Sequence, residues 1–277
     1  MNKYEAAKII EQYSKDGDTI NIANHPAFYK FHIVIACWAI KKAQRKVFKN
    51  VKRKIGELII DPNKDTHSMI KFSKGSINKY ILNDNSVKVG DKYKVNKIFK
   101  KEIWSKDFSV EPPVATYIPT EEYALDDITV YRPRKRILSE SDIKKMLHAT
   151  LPIIDTKYDY GQLVNILVNQ ILGYPYDEKV KWFDLGSKRK VCSVGVAVVY
   201  QKLRKVLESE GIIIERLFSK LNKANWKDDF IKEFNELGRW NVENTYPAMF
   251  GITDTHFDNE FELILKMNKG KIQYSKN

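Results

Sequence analysis

Between residues 68 and 132 the chain breaks into short apolar or alternating segments separated by Gly, Asn, Asp and Pro. On either side of that stretch the apolar residues take up helical spacing. A chain partitioned in this way folds as α+β, with strands gathered into an antiparallel sheet and helices packed on one side of it. The candidate strands are 68–72, 77–81, 93–99, 108–111 and 128–132. An earlier strand is expected at 19–22, where Thr19, Ile20, Asn21 and Ile22 alternate polar and apolar. A last strand is expected at 261–266. Helices are expected at 3–14, at 158–172, at 193–208 and near 226–237, and Ser139, Glu140, Ser141 and Asp142 open another with N-cap chemistry.

With 277 residues, 43% of them apolar and 12% aromatic, the chain is long enough to bury a substantial interior and too hydrophobic to be disordered. The expected organisation is one domain over residues 1–210, carrying a basic helical insertion at about 26–60, with residues 211–277 as a C-terminal extension packed on it. Two cysteines do not make a disulfide framework, so a reducing compartment, or a particle assembled in one, is the expected setting. The first residues lack the apolar core of a signal peptide, and the longest apolar run, 33–40, falls far short of the roughly 20 residues a membrane span needs. No Cys/His cluster has metal-ligand spacing and no glycine-rich phosphate loop is present, so neither a metal nor a cofactor is expected.

Chemistry concentrates at Lys188-Arg189-Lys190-Val191-Cys192-Ser193, which runs directly into an apolar helical stretch. Cys192 thereby stands at a helix N-terminus behind three cations, and both features favour a thiolate. A thiol nucleophile needs a base within hydrogen-bond reach and a third group to orient that base. His25 precedes a proline, His148 falls on a helix, His256 lies in the polar tail, and His32 sits beside an apolar stripe. His67 starts a strand whose alternation puts His67, Met69 and Lys71 on one face and Ser68, Ile70 and Phe72 on the other. A strand-borne imidazole is the more rigid base, so His67 leads and His32 is the substitute. Cys37, within an apolar helical run, is expected in the core.

The blocks Gly17-Asp18-Thr19-Ile20, Thr66-His67-Ser68-Met69-Ile70, Val110-Glu111-Pro112, Ile128-Thr129-Val130-Tyr131-Arg132-Pro133, Tyr158-Asp159-Tyr160-Gly161 and Val191-Cys192-Ser193 occur in this order. In that combination the chain resembles the circularly permuted branch of the NlpC-type papain-like cysteine hydrolases, in which the histidine precedes the cysteine. The resemblance implies a permuted papain-like fold, Cys192 as nucleophile, His67 as general base and then acid, and Glu111 as the carboxylate orienting His67, with Glu121, Glu122 and Asp159 as the competing acids. It also implies thiolate attack on an amide or ester carbonyl and hydrolysis of the acyl-enzyme, with bacterial cell-wall peptide or a related acyl linkage as substrate. The Cys192 backbone N–H is the natural oxyanion donor. Val194 and Met69 stand where that family usually carries Glu and Gly.

A formal charge of +13 favours acidic partners, although abundant Lys, Asn and Ile also fit an AT-rich genome. From Phe28 onward, Phe31, Val34, Ile35, Trp38, Ile40, Ala43 and Val47 form an apolar stripe flanked by basic residues that run from Lys41 to Lys54. This reads as one long basic amphipathic helix, or two with a break near Asn50, suited to an anionic polymer, a phospholipid surface or other virion proteins. The composition and the absence of a signal peptide suit a cytoplasmic or phage setting. The alternative to a hydrolase is a structural or virion protein that kept the fold, lost turnover and docks an anionic partner through this basic surface.

Overall fold

The computed structural model describes residues 1–23, 31–48, 52–99, 106–110, 114–134, 137–159, 192–210, 246–251 and 261–276, with Gly161, Asn165 and Val168 besides. Glu111, His25, His256, Lys188, Arg189, Lys190 and the helix expected near 226–237 lie outside the described residues.

The protein is α+β, and among the described residues it is built on a seven-stranded antiparallel sheet. Its strands are β1 (Thr19–Ala23), β4 (Asp65–Phe72), β5 (Lys106–Val110), β6 (Ala115–Pro119), β7 (Asp127–Pro133), β8 (Phe261–Asn268) and β9 (Lys271–Ser275), and a separate hairpin pairs β2 (Arg53–Ile55) with β3 (Leu58–Ile60). The sheet order is β6-β5-β4-β1-β7-β8-β9, so β1 is central, antiparallel to both β4 and β7. The described helices are α1 (Lys3–Tyr13), α2 (Phe31–Phe48), α3 (Lys74–Ile77, continued by a π-turn at Asn78–Leu82), α4 (Val89–Phe99), α5 (Glu140–Thr150) and α6 (Cys192–Ser209). Among the described residues no helix is long and apolar enough to cross a membrane.

Strand alternation sorts the sheet into two buried faces. Ile20 and Ile22 of β1, Met69 of β4, Ile128 and Val130 of β7, and Leu265 and Met267 of β8 pack with Ala6, Ala7 and Ile10 of α1. Ile70, Phe72, Tyr117, Tyr131 and Leu263 pack instead with Met146 and Leu147 of α5 and with Val194, Val196, Val199, Tyr200 and Leu203 of α6. The expectation of helices to one side therefore holds for α5 and α6 and fails for α1. Short α1 is held by a capping box in which Asn2 accepts from the Glu5 amide and Glu5 from the Asn2 amide. Helix α5 starts with the same device, Ser139 with Asp142, where the sequence signals it.

Two of the expected strands are helical. In 93–99 polar and apolar residues alternate, but Tyr93 is 71% exposed while Val95 is fully buried, a split that a strand would not allow for neighbours on one face and that α4 does. In 77–81 the buried pair Ile77 and Ile81 is spaced i, i+4, and Ser73 caps the turn that begins it. The basic stretch is also redistributed. Helix α2 ends at Phe48, and Arg53 and Lys54 belong to β2, so the helical reading of 26–60, and of the cations from Lys41 to Lys54 as one helix, is corrected. The buried face of α2 runs through Ala39, Ile40, Ala43 and Gln44, leaving Trp38 half exposed under the Lys42 ammonium, 4.8 Å from the ring centroid. The segment 211–277 contributes β8 and β9 to the same sheet, β8 lying directly against β7.

Two of the sequence blocks meet at the start of β1. Gly17 has φ +85°, and a Cβ there would lie 2.3 Å from Leu138 Cδ1, so the turn needs glycine. Asp18 follows and takes a bidentate pair from Arg132 of β7, Nε to Oδ1 at 2.9 Å and Nη2 to Oδ2 at 2.7 Å. The same guanidinium donates to the Tyr13 carbonyl at the end of α1. From above, the Tyr200 hydroxyl of α6 donates to the Gly17 carbonyl at 2.5 Å and lies 2.9 Å from Thr19 Oγ1. The turn thus ties β1, β7, α1 and α6 together. Tyr200→Phe leaves two buried oxygens poorly satisfied and is expected to cost about 1–3 kcal/mol. Urea unfolding of the variant would measure this, and an unchanged midpoint would show that the hydroxyl ties nothing down.

Candidate active site

Helix α6 opens with Cys-Ser-Val-Gly-Val-Ala-Val-Val-Tyr, rich in β-branched residues that do not favour an isolated helix. Packing decides the matter: Val194, Val196, Val199 and Tyr200 are buried, and small Gly195 and Ala197 let the helix lie close to its neighbours. Its first helical residue is Cys192, 2% exposed, directed at β4. Among the described residues the β4–β5 ladder begins at Met69↔Ser109, and the start of α6 meets β4 just before it, at Thr66, His67 and Ser68. Cys192 Sγ lies 3.8 Å from the Thr66 carbonyl oxygen.

His67 is 1% exposed and hydrogen-bonded to Cys192. The β1–β4 register slips between Ile22 and Ala23, whose partners are His67 and Asp65, so Thr66 is an extra residue on β4. Irregularities of this kind re-aim side chains, and this one falls beside the histidine. Burial opposes ionisation of Cys192, but the His67 charge and hydrogen bond, together with the Ser68 and Ser193 amides, outweigh it and draw the thiol below its ordinary range. The arrangement therefore favours a thiolate–imidazolium pair at a helix N-terminus.

The strand segment carrying His67 is clamped on both flanks. Ser68 Oγ donates to Asn21 Oδ1 at 2.7 Å, and Asn21 Nδ2 donates to Asp65 Oδ2 at 2.9 Å and to the Pro247 carbonyl at 2.7 Å. From α2, Gln44 Nε2 donates to the carbonyls of Asn63 and Asp65, and Gln44 Oε1 accepts the Ala248 amide at 2.8 Å. Thr66, between these clamps, hydrogen-bonds the Cys37 thiol through its side chain. Buried polar groups satisfied this fully hold a strand to one backbone path.

Asp65 is fully enclosed, and burial pushes its carboxyl up to about 7 against the pull of Lys266 and the Asn21 hydrogen bond. A carboxyl raised in the folded state binds its proton more tightly there than in the unfolded chain. Its contribution to stability is therefore complete below pH 3.8 and is lost as pH rises through about 7. Asp65→Asn, which keeps an acceptor for Asn21, is expected to flatten that loss, gaining on the wild type between pH 5 and pH 8 in urea unfolding. Parallel stability profiles for the two proteins would exclude the effect.

Of the residues singled out from sequence, the structure brings Cys192 and His67 together. His32 lies on α2, with its side chain outside the described residues. His148 is remote from the pair, its Nε2 3.0 Å from the Tyr80 carbonyl oxygen and 3.3 Å from Asp84. Met69 points into the α1-side core, and Val194 is buried in the core beneath α6. Cys37, expected in the core, is instead half-buried against Thr66, within electrostatic reach of Cys192. Lys41 stands one turn further along α2. Burial lowers its ammonium, as do the neighbouring charges of Arg45 and Lys64. Among the described residues no group of three His, Cys, Asp or Glu is placed to hold a metal.

Sequence reasoning did not identify Asn21, Asp65, Ser68 or Gln44. The one available signal was Asn21, a carboxamide in a strand whose apolar residues already fill the other face. Comparison with protein-family models, curated proteins and solved structures finds no match for this chain.

Proposed function

We propose that this chain is a thiol-dependent hydrolase of amide or ester bonds with a permuted papain-like arrangement. The observation that carries the reading is Cys192 at the first residue of α6, hydrogen-bonded to His67 of β4, with its thiolate favoured. In the proposed reaction the Cys192 thiolate adds to a carbonyl carbon, and the Cys192 N–H at the helix start stabilises the oxyanion. The His67 imidazolium then gives its proton to the leaving amine or alcohol, producing a thioester. Neutral His67 next takes a proton from water as that water attacks the thioester, and the acid and the thiolate–imidazolium pair are released. Glu111 is assigned to orient His67. Cell-wall peptide or a related acyl linkage is the proposed substrate class, in a phage or cytoplasmic setting.

The test is a panel of muropeptides and acyl esters assayed alongside intact mass. The wild type is expected to accumulate a covalent acyl adduct that maps to Cys192, and Cys192→Ala to lose both adduct and turnover. Hydrolysis that persists in Cys192→Ala would overturn the assignment.

A second reading is that the chain is a docking protein for an anionic polymer. It is favoured by the exposed Trp38–Lys42 pair and exposed Arg45 on α2. In that case retention on the polymer weakens steeply with salt and survives Cys192→Ala.

A further inference from the structure

We propose that Cys37 and Cys192 form a reversible oxidation site, in which peroxide oxidises Cys192 and Cys37 resolves the product as a disulfide. The chain has two cysteines, far apart in sequence, and the fold brings both to one residue. Cys192 Sγ lies 3.8 Å from the Thr66 carbonyl oxygen, and Cys37 is hydrogen-bonded to the Thr66 side chain. They approach from different elements, Cys37 from α2 and Cys192 from the start of α6, and Cys37 senses the charge of Cys192.

The two thiols differ as an attacking and a resolving pair should. His67 and two backbone amides favour the Cys192 thiolate, whereas burial keeps Cys37 protonated despite Thr66 and Lys41. Cys192 is 2% exposed, so a small diatomic-core oxidant such as hydrogen peroxide suits this thiol better than a bulky electrophile.

The steps balance. The Cys192 thiolate attacks one peroxide oxygen, the O–O bond breaks, hydroxide leaves, and Cys192 becomes a sulfenic acid. The Cys37 sulfur then attacks the sulfenic sulfur as the S–O bond breaks. The departing hydroxide takes up the Cys37 proton as water, and the new S–S bond stores the oxidation. A disulfide needs Cα atoms about 4.4–6.8 Å apart, so linkage sets the Cys37 turn of α2 and the first turn of α6 at that spacing beside Thr66. The product removes the thiolate on which hydrolysis would depend and protects Cys192 from irreversible sulfinic acid until a thiol reductant restores it. This goes beyond the hydrolase reading and does not require turnover, because the readout is covalent mass.

The experiment treats the reduced full-length chain with hydrogen peroxide, blocks residual thiols by alkylation, and maps peptides without reduction. The expected result is a Cys37–Cys192 linked peptide from monomeric protein, reversed by dithiothreitol. In Cys37→Ser the linked peptide is expected to vanish, with dimedone-trappable sulfenic acid and several-fold more sulfinic acid on Cys192. Sulfinic acid on wild-type Cys192 while Cys37 stays alkylatable would overturn the proposal, as would linkage only between two chains or no oxidation of Cys192. Should Cys37→Ser fail to fold, the wild-type peptide map decides alone.

Discussion

Alkylation of Cys192 by iodoacetamide at pH 7 is expected to slow roughly a hundredfold in His67→Ala, because the imidazole charge and hydrogen bond that favour the thiolate are lost. The reason is the balance at the sulfur. Burial by itself would raise the Cys192 thiol, and the imidazole charge and hydrogen bond are the largest opposing influences. Without them, the Ser68 and Ser193 amides and the helix N-terminus remain, and these hold less of the ionised form. The rate–pH profile should therefore move from a midpoint below the ordinary thiol range to one above it. His67→Gln, which can keep a hydrogen bond but no charge, should fall between the two. Cys37 is the internal control: its thiol is pushed up in the wild type and should label slowly throughout. Equal, slow labelling of both cysteines in the wild type would mean that the imidazole does not polarise the sulfur, and the hydrolase reading would go with it.

Arg132→Met is expected to cost about 3–5 kcal/mol in chemical unfolding, because it leaves the Asp18 carboxylate buried without its partner. Asp18 is 2% exposed, and Arg132, 24% exposed, supplies both nitrogens of the bidentate pair as well as a hydrogen bond to the Tyr13 carbonyl. Removing both charges together, in Asp18→Asn with Arg132→Met, is expected to recover much of the loss, since the penalty comes from the unpaired charge rather than from the missing attraction. Two variants that each cost under about 1 kcal/mol would place the pair among ordinary surface salt bridges. The positions are those of the Gly-Asp and Arg-Pro blocks, whose common purpose is to fix the turn that starts the central strand.

How far the chain could be read depended on how local each signal was. Helix α6 and strand β4 were legible because a run of apolar residues behind Cys192 and a short alternating segment at His67 are properties of a few consecutive positions. The meeting of Cys192 with His67 came from the order of several weak blocks and not from any spacing. Alternation misled at 93–99, where it coincided with about two turns of a helix bearing exposed Tyr93. Strand β6 was missed because its residues, Ala-Thr-Tyr-Ile-Pro, carry little pattern and become a strand by pairing with β5. Asn21 and Gln44 were illegible for a different reason: their partners Asp65, Pro247 and Ala248 are remote along the chain, and a polar side chain does not announce which distant backbone group it will satisfy. Cys37 was placed in the core by its apolar neighbours, while its actual contact, Thr66, depends on how α2 docks.

The position of β8 also bears on synthesis. β7 borders β1 on one edge, and its other edge is closed by β8, whose residues run to Asn268. A nascent polypeptide emerging from the ribosome therefore exposes that open hydrogen-bonding edge, next to the strand that organises the sulfur–imidazole pair, until Phe261–Asn268 has been synthesised. Premature termination before β8 would release a species primed to pair edge-to-edge with its own copies, and slow elongation there would prolong its exposure.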